Sequence, residues 1–298
     1  MGAGHDRSVD LDGPVHYREW PASGRLTFVC LHSVGGSHLH WNAVAPGLAR
    51  HGRVVAVDLP GFGLTPRLGR GGRLEQNQRL LSGFLATIAP GGDAVLVGHS
   101  MGGGLAILQA AAEPDSVAGL VLSGSAFPAA RGDLSDRAAF AWYLAHRARM
   151  RGRALLRSGG RVRSVGDVVG ASLRGGAADP RSIDAQIIRD SVMLARTAQP
   201  ARDTAQAFVE AARSTFSLLS HPAHFRTLLN RIACPVLLLH GGRDRTVPVA
   251  FAERVAHDHP AWRLVVFADL GHLIQLEASE RWLAAVEQWL PSLVGDSQ

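Results

Sequence analysis

Residues 93–114 read DAVLVGHSMGGGLAILQAAAEP. The first six, DAVLVG (93–98), form a short apolar run rich in valine, the composition of a strand covered on both faces. The part from Met101 to Glu113 holds one β-branched residue and no proline, and reads as a helix. Between them stands Gly98-His99-Ser100-Met101-Gly102. A G-x-S-x-G pentapeptide alone is common; placed between strand and helix it becomes a nucleophile elbow. There the serine takes a sharp, strained turn that lifts its Oγ above the sheet, and the positions two before and two after it must lack side chains. The new helix directs its first N–H groups toward developing negative charge. Gly103 and Gly104 are poor helix formers, which is expected where that helix packs closely on neighbouring strands.

Outward from the elbow the same alternation repeats. Strands are predicted at 25–31 (RLTFVCL), 53–58 (RVVAVD), 117–123 (VAGLVLS), 234–240 (CPVLLLH) and 263–268 (RLVVFA), with a weaker one at 14–20 (PVHYREW). Strands alternating with helical stretches predict a mostly parallel sheet with helices on both faces. A final helix follows Ser279, with Trp282, Leu283, Val286, Trp289 and Leu290 on one stripe, and Pro291 is expected to end it. Between 127 and 222 the strand signal stops and helices are separated by SGG (158–160), RGG (174–176), Pro180, Pro200 and Pro222. A helical block of that length between two strands of one sheet is an insertion, which predicts a core of 1–126 and 223–298 and a cap of 127–222.

A serine hydroxyl needs an adjacent base, and the base needs an acid to fix its tautomer. His272 stands in a loop just after the last strand, in Asp269-Leu270-Gly271-His272, and is the candidate base. His32, His99 and His240 lie at strand ends or in the elbow, where backbone is the expected partner of their nitrogens. Asp244, in Gly241-Gly242-Arg243-Asp244 after the strand at 234–240, is the candidate acid. The stretch after the preceding strand, Ser123-Gly124-Ser125, offers no carboxylate. Asp269 is expected to cap its own loop and Asp58 to fix the Leu59-Pro60-Gly61 turn. For the oxyanion, the backbone N–H groups of Val34, in Leu31-His32-Ser33-Val34-Gly35-Gly36, and of Met101 are the candidates. Ser33, Trp142, Tyr143, Met193, Phe208 and Phe216 are candidates for lining the substrate pocket, with Phe140 and Met150. The pairs His38/His40 and His257/His259 have no carboxylate or cysteine at ligand spacing, so neither a metal nor a cofactor is expected.

The 298-residue chain is 46% apolar, ample for a buried site. Its formal charge is +6, carried by 31 arginines and no lysine. Residues 127–230 hold 16 Arg against 8 acids and the remainder 15 against 17, so the positive charge belongs to the insertion and bears on substrate access. No reader motif or interleaved aromatics accompany the arginines, which argues against nucleic acid. The N-terminus lacks an apolar signal core and no window approaches a membrane span, which predicts a cytoplasmic protein without stable membrane insertion, a monomer or homodimer. Cys30 and Cys234 lie far apart in apolar runs and read as packing residues.

LHSVGGS (31–37), VVAVDLPGFG (54–63), GHSMGGG (98–104), LLLHGGRDRTVP (237–248) and DLGHLIQLE (269–277) together resemble the α/β-hydrolase superfamily, in its order and spacing. The resemblance implies an eight-stranded, mostly parallel sheet whose second strand is antiparallel, with a helical lid after the sixth. It also implies a Ser-Asp-His triad working through an acyl-enzyme on a small apolar carboxylic ester or lactone. Carbon–carbon bond hydrolysis of ring-cleavage dienoates is the alternative, and a lid-gated ligand receptor with residual activity a third. Ser33 stands where many members carry glycine; Ser100 stands where haloalkane dehalogenases and epoxide hydrolases carry aspartate, which disfavours both activities.

Overall fold

The computed structural model describes residues 4–129, 157–158, 161–162 and 164–293. Eight strands form one sheet in the order β1-β2-β4-β3-β5-β6-β9-β10. They are β1 (His5–Asp10), β2 (Pro14–Trp20), β3 (Leu26–Leu31), β4 (Gly52–Val57), β5 (Ala94–His99), β6 (Val117–Ser123), β9 (Val236–Gly241) and β10 (Arg263–Phe267). Arg157–Ser158 (β7) and Arg161–Val162 (β8) form a separate two-residue antiparallel pair. In the eight-stranded sheet β2 runs opposite to the other strands, pairing antiparallel with β1 and β4.

Burial follows the period of two along each strand. In β5, Ala94 and Leu96 face one core while Val95 and Val97 face the other. Helices α2 (Leu74–Ile88), α3 (Met101–Ala112) and α8 (Val249–Asp258) cover the first face through Leu81, Phe84, Leu105 and Phe251. On the second face, α1 (Ala45–Leu48) and α10 (Ser279–Trp289) contribute Leu48, Trp282, Val286 and Trp289, where Trp41 also packs. The α-helix ends at Trp289, just before Pro291, and the chain passes through the proline as a 3-10 turn, Leu290–Leu293.

Between β6 and β9 the described helices are α4 (Val165–Gly176), α5 (Ala185–Thr197), α6 (Ala201–Leu219) and α7 (Pro222–Leu229), and the short α9 (Ile274–Glu277) follows β10. Pro200 caps α6 and Pro222 opens α7, as punctuation requires. Arginines of this segment pair with its own acids at the surface: Arg181 with Asp179 at 3.0 Å and Arg196 with Asp167. β1 was not among the expected strands. Its residues are almost all exposed, and it forms because Asp12 and Gly13 take positive φ and turn the chain back onto β2.

Candidate active site

Ser100 is the N-cap of α3 and sits at φ 54°, ψ −113°, a region that residues with a Cβ seldom occupy. Its N–H donates to Ser123 O at 3.1 Å, which fixes the turn against β6. Close approach keeps the flanking positions glycine. A Cβ on Gly98 would lie 2.5 Å from Gly102 O, one on Gly102 2.1 Å from Leu31 O, and one on Gly103 1.9 Å from Ser125 Oγ. Gly104 differs from expectation, since a Cβ there meets only Leu218 at 3.8 Å.

His272 is reached from several sides. Its Nδ1 lies 2.7 Å from Asp244 Oδ2. The other oxygen of Asp244 accepts the N–H groups of Thr246 and Val247 at 2.7 and 2.8 Å, so the carboxylate is fixed before it meets the imidazole. Burial pushes the Asp244 carboxyl up, but the His272 charge and hydrogen bonds from His240 and His272 hold it well below the usual range. His240 Nε2 stands 2.9 Å from Val247 O and 3.3 Å from Asp244 Oδ2. The carbonyl of His272 accepts from His99 Nε2 at 3.0 Å. Burial, then the neighbouring His272, depress the His99 pKa well below its ordinary value, so His99 acts as a neutral donor. The backbone ties expected of His32, His99 and His240 are thus all present: His32 Nδ1 lies 2.8 Å from Ser33 O.

Gly124, at φ 51°, makes room for His272: a Cβ there would stand 2.8 Å from His272 O and 3.3 Å from its Nδ1. That glycine directly follows Ser123, which holds the Ser100 amide, and His272 therefore lies beside the elbow. Among the described residues, no hydrogen bond joins Ser100 Oγ to His272 Nε2 in this conformation; such bonds often tighten only with substrate bound.

The turn Ser33–Gly36, closed by Gly36 N–H to Ser33 O at 2.9 Å, presents the Val34 amide with Gly35 at φ 75°. His32 Nε2 accepts from Leu59 N–H at 3.1 Å, which anchors this loop to the one after β4. Among the described residues, no backbone acceptor is found for the Val34 or Met101 N–H.

Of the pocket candidates, Phe208 is buried against the Val34 loop, with its Cε2 2.9 Å from where a Cβ on Gly35 would be. Ser33 is half-buried and contributes its carbonyl to the turn. Phe216 is half-buried on α6. Met193 is 61% exposed, because α5 turns Ile188, Ser191 and Ala195 inward and Met193 falls on the opposite side. Phe140, Trp142, Tyr143 and Met150 lie outside the described residues. Asp269 is exposed; its carboxylate pairs with Arg281 at 2.7 Å and also takes a hydrogen bond from its own backbone in the loop.

Asp58 does more than fix its turn. It accepts Leu64 N–H at 2.9 Å, but His16 Nδ1 and His38 Nδ1 each also lie 2.8 Å from its Oδ2. His38 therefore has a carboxylate partner, supplied by the fold from 20 residues away. The ligand atoms of His16, His38 and Asp58 lie within 4.8 Å of one another, a spacing that suits a cation. The Oδ2 that would bind it is already enclosed by three donors, and the set reads as a hydrogen-bonded charge cluster. Glu277, not singled out by sequence, is a buried carboxylate bonded to the His272 loop; its signal was a lone charge inside the apolar run LIQLE.

The strand order, with one antiparallel strand second from the edge, defines an α/β hydrolase. The chain belongs to that family: its model, described as alpha/beta hydrolase fold, matches residues 27–279. The sequence is 30% identical over 287 residues to a 2-hydroxy-6-oxononadienedioate/2-hydroxy-6-oxononatrienedioate hydrolase of Burkholderia vietnamiensis, covering 93% of this chain and 90% of that one. It is 31% identical over 268 residues to a pimeloyl-[acyl-carrier protein] methyl ester esterase of Aromatoleum aromaticum, covering 88% and 97%. It is 26% identical over 270 residues, 90% of this chain, to the dihydrolipoyllysine-residue acetyltransferase component of an acetoin cleaving system of Pseudomonas putida, of whose length it spans only 64%. The solved structure of E-2-(acetamidomethylene)succinate hydrolase superposes with a TM-score of 0.72 at 22% identity, covering 97% of this chain and all of that one, and shares the fold. Among the described residues, no helix is long and apolar enough to cross a membrane.

Proposed function

We propose that this hydrolase uses Ser100 as nucleophile, His272 as base and Asp244 as the group that orients it, on a small-molecule carboxylic ester. The observation that carries the reading is Ser100 held at φ 54° by glycines that admit no side chain, beside an imidazole whose far nitrogen is bonded to a buried carboxylate. His272 takes the Ser100 proton as Oγ attacks the acyl carbon. The Val34 and Met101 amides hold the oxyanion, and His272 then protonates the leaving alcohol. Water activated by the same imidazole releases the acid from the acyl-enzyme. The segment between β6 and β9, as a cap over this edge of the sheet, encloses the acyl group, with Phe208 buried against the Val34 loop.

Ser100→Ala tests this. Turnover of p-nitrophenyl butyrate should fall by about 10⁶, the loss typical of a missing serine nucleophile, with the thermal transition unchanged. Turnover within tenfold of wild type would remove Ser100 from the reaction.

Carbon–carbon hydrolysis is the second reading, favoured by the relative from Burkholderia vietnamiensis that aligns over 93% of the chain. A vinylogous diketo acid offered beside esters and lactones separates the two by their kcat/KM.

A further inference from the structure

The loop that carries His272 is fastened to the inserted segment through backbone. His272 N–H donates to Gly176 O at 2.7 Å, at the end of α4. Two residues on, Ala178 N–H donates to Glu277 Oε2 at 2.8 Å. The same carboxylate accepts the amides on either side of the base: Gly271 N–H at 3.1 Å to both oxygens and Leu273 N–H at 3.1 Å. Gly271 lies so close that a Cβ on it would stand 2.4 Å from Gly176 O and 2.5 Å from Ala178 N. Earlier on α4, Val169 packs on the other catalytic loop, its Cγ2 3.3 Å from where a Cβ on Gly35 would be. One helix of the insertion thus touches both the base loop and the oxyanion loop.

We propose that Glu277 and the 176–178 backbone form a strap by which the inserted segment positions His272, so that seating the segment on the core and aligning the base are one event. The inference rests on the serine-hydrolase reading above. A buried carboxylate that loses a donor is left undersatisfied, which favours all strap bonds being made together. Lifting the segment to admit substrate removes the acceptor of the His272 amide and one donor of Glu277, and reseating restores both. Substrate binding energy that closes the segment is then expressed in kcat and not in KM. Glu277 touches no reacting atom and is a positioning residue.

Ala178→Pro removes one N–H of the strap and no side chain of the core. Ala177 already has φ −74° and ψ 147°, the conformation favoured before proline. Glu277→Gln keeps the shape but sets an amide NH2 among N–H donors. Each variant is measured for kcat and KM on p-nitrophenyl butyrate, for the rate of Ser100 labelling by a fluorophosphonate, and for amide hydrogen exchange over 270–277. Loss of one such hydrogen bond predicts about a tenfold fall in kcat and labelling for Ala178→Pro, a similar rise in exchange, and KM within about twofold of wild type. Glu277→Gln is expected to show the larger change and Glu277→Asp a partial recovery. Wild-type kcat and exchange in both Ala178→Pro and Glu277→Gln would overturn the proposal, as would a fall in thermal stability with kcat and loop exchange unaltered at 25 °C. If the wild-type protein neither turns over esters nor reacts with the fluorophosphonate, the serine-hydrolase reading fails, and the exchange measurement still decides whether the strap holds the loop.

Discussion

Replacing Asp244 by asparagine isolates what the acid does, because it alters one oxygen. Oδ1 accepts Thr246 and Val247 N–H at 2.7 and 2.8 Å, and the asparagine oxygen takes over that position. The amide nitrogen must then replace Oδ2, 2.7 Å from His272 Nδ1 and 3.3 Å from His240 Nε2, and its hydrogens face a nitrogen that was itself a donor. His272 avoids the clash by moving its proton to Nε2, the nitrogen that must be bare to take the Ser100 proton. The same exchange in other serine hydrolases costs about 10⁴ in kcat, which is about 5 kcal/mol of transition-state stabilisation. The folded state loses less, about 1–3 kcal/mol, for one charge-assisted hydrogen bond. Steady-state hydrolysis of p-nitrophenyl butyrate, with a urea titration alongside, measures both. Because the Asp244 carboxyl is held below 3.8, wild type also gains stability above that pH that is lost as the pH falls through the depressed value, and Asp244→Asn lacks this dependence. A kcat within tenfold of wild type, or a stability loss large enough to explain the activity loss, would refute the role given to Asp244.

Other outcomes follow from the same geometry. Gly103→Ala drives a Cβ to 1.9 Å from Ser125 Oγ and should cost expression or several degrees of melting temperature, whereas Gly104→Ala meets only an ordinary contact at 3.8 Å and should stabilise α3 by about 0.5–1 kcal/mol, checked by urea midpoints. Burial works against the His16 charge, but the Asp58 and Asp6 carboxylates outweigh it and raise its pKa above 6.5, with Arg18 on Asp6 and His38 on Asp58 sharing the cluster. His16 therefore contributes stability that is full below pH 6.5 and lost as the pH rises through the raised value; urea midpoints at pH 6 and 8.5 should differ more for wild type than for His16→Gln.

The elbow was legible because its constraints are local: a strand buried on both faces, two glycines and a helix are contiguous in 93–114. His272 and Asp244 were legible because each follows a readable strand, and strand ends on one edge converge. The rest depends on who meets whom. HDRSVD has no apolar alternation, and β1 exists only as the exposed partner of β2. Helical spacing in α5 groups residues into faces without saying which faces inward, and Met193 falls on the exposed one. Gly103 and Gly104 look alike in sequence and differ by one rotation of the helix, toward Ser125 or toward open space. Asp58 finds His16 and His38, and Glu277 finds Ala178, 99 residues away, only after folding.

The two cysteines make the protein easy to instrument. Cys30 is fully buried in β3, and burial pushes its thiol far above the ordinary range; burial also pushes Cys234 up to about 11. Since the thiolate is the reactive form, both are nearly silent toward maleimides at neutral pH. A cysteine introduced at Leu68, 64% exposed beside the core, and another at Met193, 61% exposed on the outside of α5, would carry a dye pair on an almost clean background. Motion of the insertion against the sheet then becomes a fluorescence signal that can be followed during turnover.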